Sequence, residues 1–182
     1  MSRYREANCK VCKRNNEKLF LKGERCETPK CVIEKLRSDS RKKNFRAKRM
    51  SEYGIRLREK QKLRYSYGVT ETQMRNNFKK ASKMKGITGY NLLLNFERRI
   101  DNVIYRAGFA SSRKAARQFA LHGHFRLNDK KVDIPSILLK IGDEISVKKS
   151  SLERFKPVVE KMETENLPSW LSFDKARQKI TV

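Results

Sequence analysis

The most ordered pattern of apolar and polar positions runs from Leu92 to Val147. Phe96, Ile100, Val103, Ile104 and Ala107 fall at i, i+4, i+7, i+8 and i+11, the spacing of a buried helical stripe. Arg98, Asn102 and Arg106 recur every four residues on the other side, and Gly108 stands where a left-handed backbone closes a helix. Ser111 or Ser112 then caps a second predicted helix by accepting from its unpaired first amides. At about 100° per residue, Arg113, Lys114 and Arg117 share one arc, while Ala115, Ala116, Phe119 and Ala120 share the opposite one. Gly123 ends this helix. From His124 the period changes to two. Phe125 and Leu127 alternate with Arg126, and Asn128-Asp129 supplies a turn. Val132 and Ile134 continue a strand that Pro135 ends, and Ile141-Gly142-Asp143 turns the chain into Ile145 and Val147. The pattern predicts a small module of two helices and short strands that buries one face and offers a basic face to something acidic.

On either side the pattern is thinner. Residues Glu34 to Lys85 read as a basic helical stretch with few apolar anchors, punctuated by Gly54 and Gly68, with Thr70 placed to cap a helix containing Met74 and Phe78. Tyr65 and Tyr67 lie beside Lys62 and Arg64, which suits ring stacking on bases together with phosphate contact. Core packing explains the tyrosines equally well, since so polar a helical lobe needs every aromatic it has. Ser150 to Glu165 reads as helix interrupted at Pro157, which lacks the amide an interior position needs. Trp170 and Phe173 are expected in a core or a domain contact, and Gln178 to Val182 begins to alternate like a strand.

Charge changes the picture. The chain has 182 residues, with Lys+Arg 45 against Asp+Glu 20 and a formal net charge of +25, while hydrophobic residues make up 37%. Self-repulsion at this density disfavours a compact free monomer and calls for a polyanion. Nucleic acid is the default, held through neutralised phosphates and released counterions. A membrane surface is the rival, but no apolar run approaches ~18 residues and no secretory signal is visible, which argues against spanning and export.

The four cysteines, Cys9, Cys12, Cys26 and Cys31, are spaced C-x2-C and C-x4-C across a short loop, which suits one tetrahedral ion held by four thiolates. Lys10, Lys13, Arg14, Arg25 and Lys30 surround them, and positive charge favours the thiolate form. Two disulfides, four free thiols and an iron–sulfur cluster are the alternatives; zinc is the commoner reading of the spacing. With no open position and no neighbouring base, the role is structural. No serine–histidine–acid set, glycine-rich phosphate loop or paired carboxylate points to catalysis.

These strings also resemble a known family. RxDNVxxRxGFAxSRxxARQ, HGHxxxNxxxVxIPS and GDxIxV match the small RNA-binding module first described in small-subunit ribosomal protein number four. Beyond the module, CKVCKRNNEKLFLKGERCETPKC resembles the four-cysteine, zinc-binding form of the bacterial-type family, and YGIRLREKQKLR and NLPSWL match it in the correct order. The resemblance implies an α+β protein: a zinc knuckle in residues 1–33, a basic helical domain in 34–90, the RNA-binding module in 91–150, and a C-terminal segment, 151–182, of helix and the start of a strand. Family members usually continue further, so this segment reads as shortened. The implied function is structural. The chain would bind small-subunit ribosomal RNA directly, nucleate assembly and help line the entrance for messenger RNA. It would sit beside neighbouring small-subunit proteins, in the cytoplasm or on an organellar ribosome, with one zinc ion and no membrane partner. The residues expected on RNA are Arg46, Arg49, Arg56, Arg58, Lys60, Lys62, Arg64 and Tyr65 in the helical stretch. In the module they are Arg98, Arg99, Asn102, Arg106, Arg113, Lys114, Arg117, Gln118, His122 and His124. Two rivals stay open. One is the accessory module of an RNA-modifying enzyme, for whose catalytic domain the remaining residues are too few and too basic. The other is a repressor binding its own messenger RNA.

Overall fold

Helix signals between Asn8 and Ser82 produce four α-helices among the described residues. The structure, a computed structural model, describes residues 4, 6–38, 50–160, 162, 167–175 and 177–182, in two compact units, Met1–Asn76 and Asn77–Val182. In the first unit, α1 (Asn8–Asn15), a 3-10 turn (Gly23–Cys26) and α2 (Val32–Ser38) gather around Val11, Cys12, Leu19, Cys31 and Ile33. Helix α3 (Glu52–Ser66) is capped by the Ser51 hydroxyl, which accepts from the Gly54 amide at 3.2 Å. Gly54 therefore lies inside the first turn of α3 and does not interrupt it. Thr70 caps α4 (Glu71–Ser82) through a reciprocal pair: its hydroxyl accepts from the Gln73 amide, and the Gln73 side chain accepts from the Thr70 amide. Met74 on α4 is buried, but Phe78 is exposed.

In the second unit the predicted first helix is two helices, α5 (Thr88–Glu97) and α6 (Ile100–Arg106), which share the apolar stripe. Phe96, Ile100, Val103, Ile104 and Ala107 are all buried as expected. The break has a backbone cause. Arg99 is extended (φ −67°, ψ 137°) and bridges Leu138, while the Ile100 and Asp101 amides donate to the carbonyls of Ile137 and Pro135. A crossing segment thus takes the donors that a continuous helix would have used internally. Helix α7 (Arg113–Leu121) is capped by Ser112, whose hydroxyl accepts from Ala115. Gly123, at φ +67°, lets the His124 amide return to the Phe119 carbonyl.

The sheet is antiparallel throughout, in the order β2-β1-β3-β5-β4. Its strands are β1 (Phe125–Leu127), β2 (Lys130–Lys131), β3 (Glu144–Val147), β4 (Ser172–Asp174) and β5 (Lys179–Thr181). Asn128 and Asp129 both adopt positive φ, as a two-residue hairpin turn requires. Val132 and Ile134 lie beyond β2, because the chain leaves the sheet there to reach α6; Val132 is buried and Ile134 exposed. The C-terminal segment is not separate from the module: β5 pairs Ile180 with Ile145 on one side and Phe173 on the other. Helix α8 (Leu152–Glu160) runs through Pro157 without interruption. The proline removes one amide, and both Pro157 and Glu153, whose carbonyl would have received it, are exposed to water. Phe109 sits at the centre of the core, with Phe125, Phe155 and Phe173 edge-on at 5.4 to 5.8 Å. Phe173 packs on that core as expected, whereas Trp170 stays partly exposed. No helix among the described residues is long and apolar enough to cross a membrane.

Candidate nucleic-acid interface

The edge where α5, α6 and α7 meet carries a chain of hydrogen bonds that sets out its cations. Glu97, at the end of α5, accepts from both ends of the Arg106 guanidinium, at 3.1 and 2.8 Å. It also accepts from the Asn102 amide nitrogen at 2.8 Å. The Asn102 oxygen in turn accepts from Arg113 Nε at 2.8 Å, and the Arg113 guanidinium lies over the Tyr105 ring at 4.6 Å. Two arginines are thereby fixed side by side through a carboxylate and a buried amide, while Arg106 remains exposed and Arg113 half-buried. Lys114 is half-buried and Gln118 exposed on the same helix.

Other sequence-predicted residues turn inward. Asn102 is 1% exposed, so it is part of the frame and not of the outer face. Arg99 and Arg117 are buried at 4% and 9% around Asp101, which is itself buried. Arg99 donates to both Asp101 oxygens at 3.0 and 2.7 Å, and Arg117 donates to Oδ2 at 3.2 Å. The arc argument placed Arg117 with Arg113 and Lys114, but a buried carboxylate one helix away draws its side chain into the core. Asp101, a lone acid inside RRIDNVIYR, was the available signal. Arg98 is also structural: its Nε donates to the Leu139 carbonyl at 2.6 Å. Sequence reasoning passed over Glu97, Tyr105 and Arg154.

At the far end of α7 the two histidines lie near each other, with ring centroids 5.9 Å apart. His122 is exposed and His124 half-buried, edge-on to Phe119 and Phe155. Burial pushes the His124 imidazole below its ordinary value, and Arg154, His122 and Lys148 push in the same direction. Phe119, expected to be buried, is only half-buried, with Phe155 against its ring and Arg154 above it.

On α3 most of the predicted cations are engaged within the protein. Lys60 pairs with Glu71 at 2.6 Å, and Lys62 with Glu17 and with Glu59. Arg64 bonds Gln61 and lies over the ring of Tyr65, which itself packs edge-on against Tyr4 at 5.3 Å. Tyr65 thus takes the packing role left open beside the stacking one. Arg56 is exposed and pairs with its helical neighbour Glu52, and Arg58 is half-exposed. Arg46 and Arg49 lie outside the described residues.

All four cysteines are unpaired thiols and line one small pocket with Asn8, Leu21, Lys22, Arg25 and Val32. The disulfide alternative is therefore not taken. Burial raises the Cys12 thiol above its ordinary value, the Leu19 backbone hydrogen bond works against this, and the other three thiols raise it further. Among the described residues no group of three or more cysteine, histidine or acidic side chains is drawn into an arrangement that could hold a metal ion.

Comparison with known proteins divides the chain between α5 and α6. Residues 3–97 match the family "Ribosomal protein S4/S9 N-terminal domain" and residues 98–145 match "S4 domain". A protein of Syntrophomonas wolfei named small ribosomal subunit protein uS4 is 49% identical, over 100% of this chain and 88% of its own length. Proteins of the same name from Clostridioides difficile and Syntrophobacter fumaroxidans are 51% and 46% identical, over 94% and 97% of this chain and 83% and 86% of their own lengths. With both family matches in chain order and relatives this similar across nearly its whole length, the chain belongs to the small ribosomal subunit protein uS4 family.

Proposed function

We infer that this chain is a structural component of the small subunit of the cytoplasmic ribosome and binds small-subunit ribosomal RNA. The observation that carries the reading is the arginine edge of the S4 domain, where Glu97 and Asn102 fix Arg106 and Arg113 in a net charge of +25. Fixed guanidiniums suit phosphates held at set positions on folded RNA, and little side-chain entropy remains to be lost on binding. Arg106, Arg113, Lys114, Gln118, His122 and His124 form the contact set in the module; Arg56 and Arg58 form a separate set on α3. Residues 1–33 act as the metal-binding segment, 34–90 as basic helices and 91–150 as the RNA module, with 151–182 completing its sheet. The role is architectural, not catalytic. Neighbouring small-subunit proteins are its other partners, and messenger RNA at the entrance to the subunit is a further one. The test is affinity for a small-subunit ribosomal RNA transcript. Arg113→Ala weakens binding with little change in melting; parent-like affinity would sink the assignment.

Cys9, Cys12, Cys26 and Cys31 would hold one structural zinc ion. A shared pocket with three buried thiols supports this, and the ion would bring thiolates closer together than the unbound thiols stand. It would tie α1 to the 3-10 turn and the start of α2, replacing a core that the segment is too polar to build. Elemental analysis of reduced, anaerobically purified protein gives one zinc per chain; metal-free protein that keeps α1 and α2 folded would refute the site.

A further inference from the structure

A second group of cations, away from the Glu97 edge, gathers where the turn after α7 meets the start of α8. His124 is fixed there by two polar contacts. Its Nδ1 lies 2.9 Å from the buried Ser151 hydroxyl, and its Nε2 lies 3.4 Å from a guanidinium nitrogen of Arg154. A guanidinium can only donate, so Nε2 must present its lone pair and the proton must sit on Nδ1, donated to Ser151. The Arg154 guanidinium lies over the Phe119 ring, 5.2 Å from its centre. Lys148 is brought to the same place by its amide, which donates to the His124 carbonyl at 2.8 Å. The charged groups acting on His124 come from three elements and are all cationic: His122 from the turn, Lys148 from the end of β3 and Arg154 from α8. No carboxylate lies within ion-pair distance of any of them among the described residues. By contrast, Arg106 meets Glu97 at its edge, and Arg99 and Arg117 meet the buried Asp101.

We propose that this corner, formed by His122, His124, Lys148 and Arg154, binds one backbone phosphate of the RNA; the proposal rests on the RNA-binding reading of the module and deepens it. An arginine held over a ring while exposed to solvent keeps N–H groups free to donate to a phosphate. The two imidazole rings stand 5.9 Å apart, centre to centre. In the free protein burial, together with the cations around it, disfavours the charged form of His124. A phosphate reverses the sign of the local field; the Arg154 N–H leaves Nε2 for the phosphate, and the proton then placed on Nε2 is donated to the phosphate as well. Binding therefore takes up a proton, and affinity rises as pH falls, by up to about tenfold per pH unit for one proton.

The experiment uses the full chain and a small-subunit ribosomal RNA transcript. Affinity is measured against salt for the parent, Arg154→Gln and Arg113→Ala, with melting recorded for each. Ring resonances of His122 and His124 are titrated with and without RNA. Arg154→Gln lowers the slope of log affinity on log salt by about one and leaves melting unchanged. The His124 ring titrates higher in the complex than in the free protein. If Arg154→Gln keeps the parent's affinity and slope while Arg113→Ala weakens binding, the phosphate site is wrong and the module reading stands. If neither variant changes binding, both are wrong. A His124 titration that RNA does not move would also overturn the site.

Discussion

Replacing Asp101 by asparagine tests the buried ion triad most directly. The side chain keeps its shape and one acceptor oxygen but loses its charge, so the guanidiniums of Arg99 and Arg117 remain buried with no carboxylate at 2.7 and 3.2 Å. Removing one member of such a buried group costs about 3–5 kcal/mol, most of it the penalty of the charge left behind. All three residues are at most 9% exposed, so solvent screening takes little from this figure. At roughly 4 °C per kcal/mol for a unit of about a hundred residues, melting should fall by some 12–20 °C. Asp101 also ties α6 to α7 through Arg117, so the loss should appear in the second unit and leave α1 and α2 intact. Calorimetry together with hydrogen exchange makes the measurement. RNA affinity, measured well below the melting point, should change little, because neither buried arginine reaches the surface. A loss below about 1 kcal/mol would mean that water or a shifted side chain neutralises the arginines. A large loss of affinity with normal melting would return Arg117 to the RNA-facing set.

Glu97→Gln should weaken RNA binding although it makes the chain more positive, because Arg106 loses its two-point anchor; tighter binding would show that Glu97 merely opposes the RNA. Asp143 accepts from the Lys140 amide and from the Asn128 side chain, and these bonds hold its carboxyl below the ordinary range. A depressed folded-state value means the stabilisation is complete above about pH 4 and lost as pH falls further; acid melting curves of Asp143→Asn should therefore lack the part of the parent's fall that begins there. Phe119→Ala should cost about 2–3 kcal/mol, less than a fully buried phenylalanine, since its ring is only half-buried; thermal melting that shows 4 kcal/mol or more would mean a deeper site.

The apolar half of the fold was legible because period and burial are local properties. Every residue of the Phe96 to Ala107 stripe, the Ser112 cap, the Thr70 cap and the Asn128-Asp129 turn lies where spacing and backbone preference put it. The polar half was legible only in part, since an arginine's destination depends on which acid lies across the fold. Arg113 and Arg117 share an arc of α7, yet Arg113 meets the Asn102 amide at the edge and Arg117 the buried Asp101. The break between α5 and α6 was hidden for a similar reason, as the competing carbonyls of Pro135 and Ile137 lie more than thirty residues downstream. Arg154 joined His124 across a sequence separation of 30, which no window of local pattern spans.

The place of β5 in the sheet has a consequence for how the chain is made. Strand β3 is paired on one side by β1 soon after both are synthesised, but its other side waits for β5, and the Glu144–Lys179 pair is 35 residues apart in sequence. At ribosomal speeds of roughly 5–20 residues per second, those residues take a few seconds to add. For that interval β3 presents an open row of amides and carbonyls, with Ile145 and Val147 beside it, to whatever strand comes near. Lys148 and Lys149 follow directly, so a nascent chain also carries positive charge next to the open edge. That charge repels a second copy of the same edge while β3 is still waiting for β5.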